Sequence, residues 1–152
     1  MTLQILKSRF KSKAFTIAAT VMLAIQISLM FSFAENNSPT TDEPIHLMGG
    51  INYLKNRDFI LNPESGIFPQ VIAALPNIGS IKIPPPETMA STPHESMPRH
   101  VLYPALCNAG LDSVFLKGRM MIGLLNIATG LMILFIAKKV FGNVPSICAF
   151  AL

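Results

Sequence analysis

Charged side chains are scarce in this 152-residue chain: Asp, Glu, Lys and Arg together make up 13%, against about 25% in an average soluble domain. With 51% hydrophobic residues and a mean hydropathy of +0.48, that deficit argues against an ordinary soluble surface. Cysteine is scarce as well. Cys107 and Cys148 are too few for a disulfide framework and lack the paired spacing of a zinc site, so they read as isolated small apolar side chains. The basic residues behind the net charge of +4 are not gathered into a patch interleaved with aromatics. The usual nucleic-acid surface is excluded on that ground, and no nucleic acid stands among the expected partners.

The apolar residues are concentrated in two blocks near the chain ends. Residues 14–34 are uncharged throughout, and a helix rising 1.5 Å per residue needs about 20 such positions to cross a hydrocarbon core of about 30 Å. The second block, 120–137, is also charge-free, and with its leading residues it predicts a second transmembrane helix over 117–137. Lys7, Arg9, Lys11 and Lys13 precede the first block, and Lys138 and Lys139 follow the second. Basic flanks mark the cytoplasmic side, so the expected topology puts a basic tail (1–13) inside, segment 35–116 outside, and a turn (138–145) back inside. After Pro145 a further apolar run, 146–152, reads as the start of a third span on which the chain stops. The expected class is thus an all-α, multi-pass membrane protein with the bilayer as its first partner. A competing reading is a secretory signal peptide cleaved after Ser32-Phe33-Ala34, which would release a soluble chain at Glu35. Its apolar core is longer than the roughly 7–15 residues of a signal h-region.

Segment 35–116 differs in composition: every proline except Pro145 falls there, and so do all three histidines. Ile45, Leu47, Met48, Ile51, Tyr53 and Leu54 form a stripe at helical spacing, which predicts a helix over 42–56 lying on the membrane surface. A second apolar stretch, 67–78, is too short to span and is interrupted by Pro69 and Pro76, so it reads as a re-entrant or interfacial helix. Segment 79–100 carries Pro84, Pro85, Pro86, Pro93 and Pro98; it is expected to be irregular, because proline removes a donor and restricts its predecessor. His94 and His100 in this stretch read as solvated loop residues. In the spans, Gln26 is expected to face protein, and Gly123, Asn126 and Gly130 are expected at a helix–helix interface.

Asp42 and Glu43 are the residues most suggestive of chemistry. They stand just beyond the first span and immediately before Pro44, a favoured first-turn residue. One reading makes them caps for the following helix, complementing its dipole. The other makes a carboxylate at the water–membrane boundary the proton acceptor for an attacking hydroxyl, as a glycosyl transfer requires. His46 lies four residues after Asp42 and three after Glu43, so on a helix the three could share a face and hold a divalent metal. No cofactor is otherwise indicated.

The run Asp42-Glu43-Pro44-Ile45-His46-Leu47, followed by Gly50, Tyr53-Leu54, Asp58-Phe59, Leu61-Asn62-Pro63-Glu64 and Ala73-Ala74-Leu75-Pro76, resembles the first extracytoplasmic loop of the C-type fold (GT-C) membrane glycosyltransferases. Its nearest likeness is to the protein O-mannosyltransferase and lipid A aminoarabinosyltransferase group. The likeness extends to Gly118-Arg119, the apolar helix after it, and Lys138-Lys139-Val140-Phe141-Gly142; it leaves out 79–100. It implies transfer of a sugar from a polyprenyl-phosphate donor to a hydroxyl acceptor on the outer face. Asp42 would be the catalytic base with Glu43 beside it, while Arg119 and Glu64 would contact the substrate or its lipid phosphate. One departure is evident. Family members continue the Asn-Pro-Glu element with a histidine and two prolines, where this chain has Ser65-Gly66-Ile67-Phe68-Pro69. The family builds its donor cavity from many more spans, so the resemblance implies an amino-terminal portion, inactive by itself, whose partner is the missing carboxy-terminal part. A different class also fits the residues: a small non-enzymatic membrane protein whose outer segment binds a partner.

Overall fold

The computed structural model describes residues 2–85, 87–88 and 101–151, with side chains from residue 13 onward. Most of the proline-rich stretch, including His94 and His100, lies outside the described residues. Among those described, the secondary structure is entirely helical: α1 (Thr2–Asn36), α2 (Glu43–Asn56), α3 (Ile67–Ala74) with a 3₁₀ turn (Leu75–Asn77), α4 (Tyr103–Asn108), α5 (Leu111–Phe141) and α6 (Asn143–Ala151). Lys13–Asn36 of α1 and the whole of α5 are long and apolar enough to cross a membrane. At 1.5 Å per residue these stretches of 24 and 31 residues reach about 36 and 46 Å. Their apolar side chains are largely bare: Ile17 is 64% exposed and Leu29 64%. A core helix of a soluble protein would bury such residues.

The chain divides into two compact units, one of Met1–Ser32 with Gly123–Leu152 and one of Phe33–Ile122. In the first unit the small residues of α5 admit their neighbours closely. A Cβ on Gly123 would run into Met30 of α1, and one on Gly130 would come within 3.0 Å of the Phe150 ring on α6. Asn126, expected at the same interface, is exposed. Gln26 does turn toward protein, half-buried, with Oε1 buried and unpartnered. The Lys138 ammonium sits 4.0 Å from the centroid of the Phe15 ring. Gly142, at φ +86°, ends α5 in the left-handed conformation that glycine adopts without strain, and its N–H bonds to the Lys138 carbonyl at 3.1 Å. The helix α6 then starts at Asn143, with Pro145 in its first turn.

The second unit has a true interior. Leu47, Met48 and Ile51 of α2 are buried with Leu61, Ala74, Ile81, Val101, Leu102, Leu106, Val114 and Phe115. The stripe of α2 therefore faces protein rather than a membrane surface, as its spacing alone had suggested. Periodicity reports that one face is covered and is silent on what covers it. Two adjacent glycines explain how α3 approaches: a Cβ on Gly50 would collide with the Gln70 carbonyl, and one on Gly49 with the Gln70 side chain. The helix α2 stops at Arg57, which takes a left-handed φ of 58° and donates its N–H to the Tyr53 carbonyl at 2.9 Å.

Regular α-helix over the expected 67–78 ends at Ala74, and the 3₁₀ turn that follows contains Pro76, which has no N–H to continue the ladder. The polarity of this segment is inverted. Gln70, Ala74 and Asn77 are buried, while Phe68 is 61% exposed and Leu75 44%. Asn77 Nδ2 donates to the Val114 carbonyl at 2.9 Å, fastening the turn to the start of α5.

Candidate functional site

The site forms in the second unit, where the end of α1, the start of α2 and the first turns of α5 meet. The carbonyl of Asp42 accepts the first N–H groups of α2, from Ile45 and His46, both at 3.0 Å, and Pro44 occupies the opening turn, where its missing donor costs nothing. Asp42 holds the cap position without any side-chain cap hydrogen bond. Its carboxylate is thus not used as a helix cap.

The two carboxylates take different environments. Glu43 turns inward to Arg119 of α5: Nε donates to Oε1 at 3.1 Å and an Nη2 hydrogen to Oε2 at 2.8 Å, a two-pronged ion pair. The other Arg119 hydrogens go to main-chain carbonyls, from Nη1 to Ala34 at 3.1 Å and Asn37 at 2.6 Å, and from Nη2 to Ser38 at 3.1 Å. A guanidinium has five N–H groups, and all five have protein acceptors. The Phe33 ring lies beneath it, 5.7 Å from centroid to Cζ. The pair is well covered, with Arg119 10% and Glu43 26% exposed. A lipid phosphate at Arg119 would therefore have to displace a partner it already has.

Asp42 turns outward, its side chain 70% exposed. The Thr40 hydroxyl donates to Oδ1 at 2.7 Å, and the Thr40 N–H donates to Glu43 Oε2 at 3.3 Å, so one residue ties the two carboxylates together. The Thr40 hydrogen bond, with help from backbone N–H groups and the nearby His46, holds the Asp42 carboxyl below its ordinary value against the opposing effect of desolvation. Asp42 therefore stays ionised, and able to accept a proton, throughout the neutral range. A lowered folded-state pKa contributes stability that is present above the unfolded value and is lost as pH falls through the folded one.

His46 Nε2 lies 3.6 Å from Asp42 Oδ2. Its other ring nitrogen, Nδ1, is 2.8 Å from Asn62 Nδ2. The residues present do not fit a metal: Glu43 is committed to Arg119, and no group of three His, Cys, Asp or Glu side chains that could hold an ion occurs among the described residues. The metal set Asp42, Glu43 and His46 that shared-face spacing allowed is thus not assembled. Glu64 is exposed in the turn before α3 and makes no hydrogen bond or ion pair among the described residues.

Asp42, Glu43, His46 and Arg119 are thus brought together, and Glu64 is not. Thr40 and Asn62 join the site without having been singled out in the sequence. Asn62 belongs to the Leu61-Asn62-Pro63-Glu64 run, and Thr40 lies two residues before Asp42, where a hydroxyl commonly bonds a neighbouring side chain or backbone group. No protein-family profile, curated protein or solved structure matches the chain.

Proposed function

We propose that this chain supplies the catalytic carboxylate of an integral membrane glycosyltransferase that moves a sugar from a polyprenyl-phosphate donor to a hydroxyl acceptor on the extracytoplasmic face. The observation that carries the reading is the divergence of the paired carboxylates. Glu43 is consumed by Arg119, whereas Asp42 is ionised, exposed, unused as a cap and held a few residues beyond an apolar helix of membrane-spanning length. In the reaction the acceptor hydroxyl attacks the anomeric carbon as the carbon–phosphate oxygen bond breaks. The hydroxyl proton passes to Asp42, and the electron pair of the broken bond leaves with the polyprenyl phosphate. Glu43 and Arg119 act as positioning residues that fix the approach from α1 to α2, and so the place of Asp42. The basic flanks of both apolar helices support a topology with residues 35–116 outside, and the outward apolar face of α3 suits the headgroup boundary.

The test uses the full chain in nanodiscs containing a photoreactive polyprenyl-phosphate sugar. Crosslinks are expected within 38–64, competed by unlabelled donor and retained in Asp42→Asn, while donor consumption in native membranes bearing the chain is lost in that variant. Crosslinks confined to α1 and α5 and not competed by donor would sink the proposal and favour the non-enzymatic, partner-binding reading.

A further inference from the structure

The same site contains a histidine and an amide that carboxylate chemistry alone does not explain. The Asn62 Nδ2 group is a donor only, so at 2.8 Å from His46 Nδ1 it requires that nitrogen to be the acceptor. A neutral ring then carries its proton on Nε2, and Nε2 is the atom facing Asp42 Oδ2 at 3.6 Å. Oδ1 of the same carboxylate already receives the Thr40 hydroxyl at 2.7 Å. We propose that Asn62, by fixing the tautomer of His46, makes the imidazole an orienting donor for Asp42, so that His46 and Thr40 each hold one of the two carboxylate oxygens.

This rests on the reading of Asp42 as the proton acceptor, and deepens it. A carboxylate that is 70% exposed on a short side chain samples several rotamers when held at one oxygen only, and each misdirects its lone pairs. A second contact, closed from 3.6 Å by a small side-chain adjustment once an acceptor excludes water, restricts it to one direction. Hydrogen bonds of catalytic groups are commonly longer before substrate binds and tighten in the complex. The link is also long in sequence, joining α2 to the turn that precedes α3 across 16 residues. The orientation of Asp42 therefore depends on the fold of the whole segment 42–62, beyond its own neighbours. His46 and Asn62 are positioning residues, since neither touches the reacting atoms.

The experiment is two-bond ¹H–¹⁵N correlation on the histidine rings of the full chain in nanodiscs, with donor consumption in native membranes as a second readout. His46 is expected in the Nε2–H form. Asn62→Ala is expected to mix the tautomers, and Asn62→Asp, whose carboxylate accepts from Nδ1–H, to invert them. Donor consumption should fall about a hundredfold in Asn62→Asp, the loss that accompanies misplacing a catalytic group by about 1 Å, with donor crosslinking unchanged. His46→Gln, which keeps an N–H within reach of Asp42, should recover part of the activity lost in His46→Ala. A tautomer indifferent to Asn62 would overturn the proposal. So would full turnover in both His46→Ala and Asn62→Asp while Asp42→Asn abolishes it, a result that leaves the role of Asp42 standing. Unchanged turnover in Asp42→Asn would instead remove the underlying function.

Discussion

Arg119 holds both oxygens of the Glu43 carboxylate. In the structure its five donors close on Glu43 and on the carbonyls of Ala34, Asn37 and Ser38. Replacing it leaves a largely buried carboxylate and three carbonyls without these donors, so Arg119→Met should destabilise the second unit by about 3 kcal/mol. Arg119→Lys keeps the charge but not the planar fork, and should still cost upwards of about 1 kcal/mol. Hydrogen exchange of the α2 amides in detergent micelles measures both; wild-type protection in Arg119→Met would mean that the clamp is idle. The pair Asp42 and Glu43 was legible in the sequence, because two adjacent carboxylates before a proline after an apolar block are unusual. Their unlike roles were not, because the group that separates them lies 76 residues further on and no local pattern reports it.

Elements were legible to the extent that pattern determines them. The stripe from Ile45 to Leu54 called for a helix, and α2 covers Glu43–Asn56; the side that buries the stripe was set by Gly49 and Gly50, whose bare backbone admits α3. This contact gives a graded expectation. Gly50→Ala drives a methyl against the rigid Gln70 backbone and should cost about 3 kcal/mol, whereas Gly123→Ala meets the flexible Met30 side chain and should cost under about 1 kcal/mol. Exchange protection of α2 and α5 reads the two, and equal costs would mean that α3 yields as easily as a methionine. The inverted polarity of α3 offers a second measurement. The chain contains no tryptophan, so Phe68→Trp introduces a single reporter. Its emission in proteoliposomes should be quenched by lipids brominated on the acyl chain near the headgroup; quenching by aqueous iodide alone would place that face in water.

At the scale of the whole molecule, span length was the legible part, since crossing hydrocarbon requires a minimum run of uncharged residues that can be counted directly, and two helices of that length form. The proposed orientation can be read from the chain's own thiols. Cys107 and Cys148 are both free and exposed, and with 35–116 outside, an impermeant maleimide applied to intact cells should label Cys107 and spare Cys148; the reverse pattern would invert the topology. The clamp at Arg119 also has a consequence in time. Glu43 is made 76 residues before the arginine that holds it, an interval of about 4–15 s at translation rates of about 5–20 residues per second. During that interval the first apolar helix and the carboxylate pair exist without their fastening. The site can close only when the second apolar helix emerges, so its completion marks the moment at which the chain has turned back on itself.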